Sequence, residues 1–258
     1  MFPVRSLGSE KPVTPTAGEL AEWIHTSIGR QADLITWEIE TTLTAQLPSV
    51  TTPAAGGMFY RDRLLSALHN ISGTKITGEF DPDLNEILED CRRTEKISRH
   101  CWWSLPAPSA LGLEDAYFAD KEDAAAALCA AVRTICRIQR DAGAAGHILT
   151  ATAAPGDIER EMFTGKRYLW QVPAAALEDI LEIQRDLILP SDALSRLEDL
   201  THSYTIRSVL VTDPTEAVLK EVCTLFDPED VIVCGTAPAS GQKTYWESLA
   251  DLSVPKDL

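Results

Sequence analysis

The sequence has few basic residues and no long hydrophobic run. It contains 23 Lys and Arg residues against 39 Asp and Glu residues, which gives a formal net charge of −16. This shortage of positive charge argues against binding to duplex nucleic acid, because a protein that neutralises phosphates needs a basic surface. No apolar stretch reaches the roughly 18 residues that a membrane helix requires, and the first residues lack the apolar core of a signal peptide. These absences predict a cytoplasmic protein with no membrane-spanning segment.

The chain also lacks the motifs of metal centres and of common hydrolases. Its six cysteines include no Cys-x-x-Cys pair, and neither His-Glu-x-x-His nor Gly-x-Ser-x-Gly occurs. Zinc sites usually combine ligands in tight pairs, and serine hydrolases of the α/β class place their nucleophile in the glycine-flanked motif. The sequence therefore predicts no metal and no cofactor. It predicts reduced, mostly buried cysteines.

What is present indicates two parts that differ in their hydrophobic periodicity. The 258 residues, 45% of them hydrophobic, are enough for one large domain or two small ones. Residues 1–16 contain three prolines and no periodicity, so they are predicted to be a flexible tail. Residues 17–145 repeat apolar residues every three or four positions, first from Leu20 to Leu47, and predict a helical bundle. Asp120 is placed to cap the last of these helices.

Residues 146–258 have the pattern of a small α/β domain. Strand candidates cover residues 147–153, 167–172, 206–212 and 231–234. The segments between these strands have helical patterns, one of them over residues 174–189. Strands that alternate with helices indicate parallel β-α-β units. The predicted fold class is therefore α/β and rich in helix, with an N-terminal helical bundle followed by a small, mostly parallel sheet covered by helices.

The carboxyl edge of this sheet is the first candidate ligand site. If the last two strands are parallel neighbours, Thr212, Asp213, Cys234 and Gly235 lie together where ligands bind in open α/β sheets. Asp213 would then anchor a small molecule. The alternative is that Asp213 only caps the helix that follows it.

A glycine-containing loop at residues 235–244 resembles a phosphate-binding loop, because it follows a strand and carries a lysine, Lys243. Its spacing departs from that motif: five residues separate the glycines instead of four, and Pro238 removes one N–H group. Nucleotide hydrolysis is therefore not predicted. Lys243 remains a candidate ligand for an anion.

A basic and aromatic segment is the candidate interaction surface. Arg92, Lys96 and Arg99 recur at helical spacing, and Trp102 and Trp103 follow directly. Arginine and tryptophan are typical of protein interfaces, so this segment could bind an acidic partner. The alternative is a solvated helix face that pairs with nearby acidic residues, followed by two core tryptophans.

Short segments of residues 17–140 resemble the helical N-terminal sensor region of PucR-type bacterial transcription regulators. They are Gly18–Ile24 at the start of a long helix, Leu47–Ser49 at its end, and Phe80–Leu88. The resemblance implies a sensory role for the helical block. It does not imply DNA binding, because the C-terminal half contains no recognisable helix-turn-helix.

These observations favour a non-catalytic sensory, regulatory or interaction protein that binds a small ligand or a protein partner. A homodimer formed through the helical block is a further expectation. The alternative is an enzyme that acts on a small anionic or phosphorylated metabolite at the carboxyl edge of the C-terminal sheet. That enzyme would use Asp213, Lys243 and Cys234, so it requires these three side chains to converge in one cleft.

Overall fold

A computed structural model describes residues 2–9, 14–26 and 33–253 of the chain. Its strands are β1 (Val4–Ser9), β2 (Ala54–Gly56), β3 (Ile71–Ser72), β4 (Lys75–Ile76), β5 (Trp102–Pro106), β6 (Glu114–Asp115), β7 (Gly146–Thr150), β8 (Tyr168–Gln171), β9 (Asp186–Pro190), β10 (Ser208–Thr212) and β11 (Val231–Ala237). Its α-helices are α1 (Ala17–Thr26), α2 (Leu34–Gln46), α3 (Arg61–Ala67), α4 (Asn85–Ile97), α5 (Lys121–Asp141), α6 (Asp157–Met162), α7 (Leu177–Leu181), α8 (Leu197–Ser203), α9 (Glu216–Val222) and α10 (Gln242–Ala250). Among the described residues, none of these helices is long and apolar enough to cross a membrane.

Eight of the strands form two parallel, four-stranded sheets. One sheet has the order β1-β11-β10-β9 and the other has the order β2-β5-β7-β8. The three short strands β3, β4 and β6 form a separate small sheet, which we call the lobe. The connections between consecutive strands of the two larger sheets contain the helices, as β-α-β units require.

The two larger sheets join at both edges and close into a barrel. At the first edge, the Ser6 amide donates to the Thr52 carbonyl and the Thr52 amide donates to the Val4 carbonyl, each at 3.0 Å. At the second edge, the Gln184 side chain accepts from the Trp170 amide at 3.1 Å and donates to the Asp186 carbonyl at 2.6 Å. The result is a closed barrel of eight parallel strands in chain order surrounded by helices, the (β/α)8 architecture.

Every strand of the barrel contributes to a small core inside it. The residues of this inner cluster are Leu7, Ala54, Trp102, Ile148, Leu169, Ile188, Leu210, Ile232 and Cys234. Arg5 joins them, with its guanidinium 3.9 Å from the centre of the Trp102 ring. A much larger cluster fills the space between the outer faces of the strands and the helices. Short strands that are buried on both faces have little polar alternation, which weakens their signal in the sequence.

The α/β class is confirmed, and the β-α-β unit predicted from the last two strand candidates is present. Strands β10 and β11 are parallel neighbours joined by α9, with Thr212 opposite Cys234. Helix α5 begins directly after Asp120, whose side chain accepts from the Glu122 amide at 2.7 Å. The long helix predicted from Leu20 to Leu47 comprises α1 and α2, and residues 27–32 between them lie outside the described part of the chain.

The prediction of a helical block without strands is wrong. Strand β1 lies in the segment predicted to be a flexible tail, and β2 and β5 lie in the segment predicted to be a bundle. Helix α4 ends at Ile97, and residues 102–106, which belong to the segment predicted to be helical, form a strand. Strand β9 likewise occupies the end of the helix predicted over residues 174–189. A run of three to six residues buried on both faces cannot be distinguished from a buried helical turn by periodicity alone.

Candidate functional site

Uncharged polar side chains line the carboxyl-terminal mouth of the barrel. Strand side chains alternate, so the residues two positions beyond Trp102, Ile148, Leu169 and Leu210 also face inwards. These residues are Ser104, Thr150, Gln171 and Thr212. The Thr150 hydroxyl donates to Oε1 of Gln171 at 3.0 Å. The mouth therefore presents hydroxyl and amide groups to a ligand.

Thr212 and Cys234, which the sequence placed together, are neighbours inside the barrel. The Thr212 hydroxyl lies 3.6 Å from Sγ of Cys234. Burial raises the pKa of the Cys234 thiol to about 12, although the hydrogen bond with Thr212 lowers it. A thiol with this pKa is neutral at pH 7, so Cys234 is a poor nucleophile.

Asp213 and Gly235 contact the outer helix layer instead of the mouth. The Tyr245 hydroxyl, on α10, donates to Oδ1 of Asp213 at 2.5 Å. Asp213 has a positive φ of 47°, which is uncommon for a residue other than glycine. The Asp213 amide also donates to the Cys234 carbonyl at 2.8 Å, which holds this turn in place. The carboxylate of Asp213 and the phenol of Tyr245 form an accessible polar pair at the end of β10. No sequence motif pointed to Tyr245.

Gly235 has no side chain, and the Asp213–Tyr245 pair occupies the space that a Cβ atom would need. A Cβ atom on Gly235 would lie 1.8 Å from the Tyr245 hydroxyl oxygen and 2.7 Å from Oδ1 of Asp213. We expect Gly235→Ala to displace Tyr245 and to lower the free energy of unfolding by about 1–3 kcal/mol. Chemical denaturation measures this loss. Gly156→Ala is the matched control, because no atom of the described residues lies within 4 Å of its added Cβ apart from its chain neighbours. Equal effects of the two substitutions would contradict the prediction.

Lys243 does not join Asp213 and Cys234. Its side chain is 72% exposed, and Nζ lies 3.9 Å from a carboxylate oxygen of Glu247 on the same helix. Together with residues 239–244 and with Thr41 and Ala45 of α2, it lines a cavity of about 260 Å³, which we call the α10 cavity. The three side chains that the enzyme hypothesis required in one cleft are therefore divided: Lys243 lines the α10 cavity, Cys234 lies inside the barrel and Asp213 contacts α10.

A larger cavity of about 870 Å³ lies beneath the lobe, and we call it the lobe cavity. Its walls come from the loops that follow β5 and β7 and from the first turns of α5. Glu159, on α6, joins the two loops by accepting from the Ser109 amide at 2.7 Å and from the Gly156 amide at 3.2 Å. Sequence reasoning missed this cavity, because its lining comes from four separate segments. The alanine run at residues 124–127 is the one local signal, since small side chains leave space beside a helix.

The predicted interaction surface is not assembled. Trp103 is 1% exposed and packs against Tyr60, with 5.1 Å between the ring centres, while Trp102 lies under Arg5 inside the barrel. Arg92, Lys96 and Arg99 remain exposed without the tryptophans beside them. The reason is the strand β5: adjacent residues of a strand point to opposite faces, so two consecutive tryptophans cannot both lie on the surface of a barrel strand.

The described residues contain no group of three or more His, Cys, Asp or Glu side chains that could hold a metal ion. All six cysteines are unpaired, and five of them are buried, as predicted. Burial is the main cause of the raised pKa values of these thiols. Among the residues that the structure describes, the mouth and its rim therefore offer hydroxyl, amide and carboxylate groups and the ammonium group of Lys243.

No known protein family and no curated protein matches this sequence. Its fold does match solved structures. The crystal structure of a "Putative Vitamin-B12 Independent Methionine Synthase" from Listeria monocytogenes has a TM-score of 0.67 and 13% sequence identity, and the match covers 98% of this chain and 96% of the other. A dihydrodipicolinate synthase from Rhodopseudomonas palustris has a TM-score of 0.40 and 12% identity over 97% of this chain and 79% of the other.

The first of these matches shows that the chain shares a whole fold with a protein described as a synthase. It contradicts the prediction of a non-catalytic sensory or interaction protein. That prediction depended on a helical bundle, and residues 17–145 instead supply two strands of a closed barrel. In enzymes with this architecture, active sites lie at the carboxyl-terminal end of the strands.

Proposed function

We propose that this chain is an enzyme that acts on a small anionic or phosphorylated metabolite at the carboxyl-terminal end of its barrel. The observation that carries the proposal is the N-terminus of α10, which begins just after the eighth barrel strand. Its first turn contains no acidic residue, and Gly241 at the N-cap offers no side chain to satisfy the first amide groups. In barrels of this kind, phosphate is frequently bound by the loops after strands seven and eight and by a helix N-terminus.

The α10 cavity has the side chains that an anion would need. Lys243 supplies a positive charge, and Thr41, Ser240 and Thr244 supply hydroxyl groups. Among the residues that the structure describes, no acidic side chain lines it, in a protein whose net charge is −16. Charge-assisted hydrogen bonds to such groups and to helix amides are stronger than neutral ones.

The remainder of the substrate would then lie towards the mouth. Thr212 and Gln171 offer hydrogen bonds there. Outside the mouth, at the end of β10, the carboxylate of Asp213 with the phenol of Tyr245 provides a group that could accept or donate a proton. Cys234 is assigned a packing role, because its thiol is neutral and fully buried. We retain the cytoplasm as the proposed location and a homodimer as the proposed assembly.

Phosphorus NMR tests this function directly. We expect inorganic phosphate to bind to the protein. We also expect new phosphorus resonances, from products, when the protein is incubated with a set of sugar phosphates and phosphorylated hydroxy acids. Lys243→Ala should weaken phosphate binding about fivefold, which corresponds to about 1 kcal/mol. Lys220→Ala, which removes an exposed lysine on α9, should leave binding unchanged. Absence of phosphate binding, or equal losses in both variants, would show that the α10 cavity is not the anion site.

A further inference from the structure

The lobe cavity is separate from the α10 cavity. It lies over β5 and β7, whereas the α10 cavity lies beside β11 and α2. Its volume of about 870 Å³ falls in the range of small-molecule sites, roughly 300–1,000 Å³. It also opens at the carboxyl-terminal end of the barrel, where the loops of this fold bind ligands.

Apolar side chains form much of the cavity wall. Ile76 and Leu113 come from the lobe and its connecting loop, Leu128 comes from α5, and Ile158 comes from α6. Ala124 and Ala125, in the second turn of α5, leave the space between these elements open. Walls of this kind favour an apolar body in the ligand, because its burial removes apolar surface from water.

The charged groups of the cavity are predominantly acidic. Five carboxylates and one lysine, Lys121, line it. Three of the carboxylates already have partners: Glu159 accepts two loop amides, Asp115 accepts two amides of its own turn, and Asp157 pairs with Arg160.

The other two carboxylates belong to Glu114 on β6 and Glu122 on α5. The backbone amides of both residues form hydrogen bonds. Neither side-chain carboxylate forms a hydrogen bond or an ion pair with any residue that the structure describes. A cation inside the cavity would therefore meet two carboxylates that form no ion pair within 4 Å among the described residues.

We propose that the lobe cavity binds a small molecule with an apolar body and a positively charged amine. The apolar walls receive the body, and the carboxylates of Glu114 and Glu122 attract the ammonium group. An anionic molecule of the same shape is repelled by the same carboxylates. This inference does not depend on the phosphate site, because Lys243 does not line the lobe cavity.

Titration with two probes of similar body and opposite charge tests the proposal. Phenethylamine has an aromatic body and an ammonium group, and 3-phenylpropionate replaces that group with a carboxylate. Measured by calorimetry at low ionic strength, phenethylamine should bind at least about tenfold more tightly than 3-phenylpropionate, since repulsion replaces attraction. Equal binding of the two probes, or no binding of the amine, would overturn the proposal.

Two variants locate the binding within the cavity. Ala125→Trp should weaken amine binding about tenfold or more by filling the space, since Ala125 is exposed and lines the cavity. Ala130→Trp, on the same helix but outside this cavity, is the matched control and should bind as the wild type does. If Ala125→Trp retains wild-type affinity, the amine binds elsewhere and the inference fails.

A double variant tests the charge without altering the volume. Glu114→Gln with Glu122→Gln changes two exposed side chains, so we expect the fold and thermal midpoint to be kept. Phenethylamine binding should weaken about fivefold or more, and its dependence on salt should decrease. Unchanged affinity and salt dependence would contradict the assignment of these carboxylates. Lys243→Ala should leave amine binding unaffected, which separates this result from that of the phosphate experiment.

Discussion

Replacing Arg63 with methionine is expected to lower the free energy of unfolding by about 3–5 kcal/mol. The Arg63 side chain, on α3, is 3% exposed, and Nε lies 2.8 Å from Oδ2 of Asp90, whose side chain is 2% exposed. Its two terminal nitrogens reach Glu86 at 2.6 Å and Asp33 at 2.8 Å. One guanidinium thus compensates three carboxylates contributed by α4 and by the N-cap of α2.

The expected loss of stability comes from the buried carboxylate that remains after the substitution. Methionine keeps much of the side-chain volume but leaves Asp90 buried without a positive partner. Burial raises the pKa of Asp90 to about 6 even with Arg63 present. Without Arg63, this carboxyl group takes up a proton more readily, so the difference between variant and wild type should become smaller near pH 4.5. Urea denaturation at pH 7.5 and pH 4.5 measures both effects.

Arg92→Met is the matched control for Arg63→Met. Arg92 lies on α4, its side chain is 67% exposed, and its ion pair with Glu89 has a separation of 3.5 Å. Exposed pairs of this kind contribute about 0–1 kcal/mol, so the control should change stability little. Similar losses in the two variants would mean that burial does not determine the contribution of Arg63.

The second large effect is a loss of stability in acid that depends on His147. This imidazole is fully buried on the outer face of β7, where Nε2 lies 3.1 Å from Oε1 of Gln139. Burial, with a smaller contribution from Arg140, lowers its pKa to about 3. In the unfolded chain the same group has a pKa of about 6.5.

The sign of this effect follows from the two pKa values. Between pH 6.5 and pH 3 the unfolded chain binds a proton at this site and the folded protein does not. The contribution of neutral His147 to the free energy of unfolding is therefore fully present above about pH 6.5. It is lost as the pH is lowered, by up to about 1.4 kcal/mol per pH unit. By pH 4.5 the loss from His147 should reach about 2–3 kcal/mol.

Comparison with His147→Leu isolates this contribution from other titrating groups. Burial raises the pKa of Glu38 to about 7, which has the opposite effect on stability over the same range. The variant keeps Glu38 but lacks the imidazole, so its stability should decrease less than that of the wild type between pH 7 and pH 4.5. His202→Leu, at an exposed position on α8, should retain the wild-type dependence. Parallel curves for His147→Leu and the wild type would contradict the prediction.

Part of the candidate site could be found from the sequence alone. Thr212 and Cys234 follow strong strand patterns, and their position at one edge follows from parallel pairing. The sequence alone could not predict that adjacent residues at this edge point in different directions. Asp213 and Gly235 contact α10, whereas Thr212 and Cys234 face the barrel interior. The partner of Asp213 is Tyr245, 32 residues further along the chain, and its contact depends on where α10 packs.

The sequence by itself determined the elements whose signals are local. The N-cap at Asp120, the periodicity of α5 and the β10-α9-β11 unit are fixed by hydrogen bonds and side-chain spacing within short segments. Tertiary structure alone decided that β1, β2 and β5 are strands and that the chain closes into a barrel. Strands of three to six residues gain their stability from neighbours far apart in sequence, such as Val233 beside Val4. No local pattern records such a pairing, because the free energy that selects it comes from burial on both faces of the completed barrel.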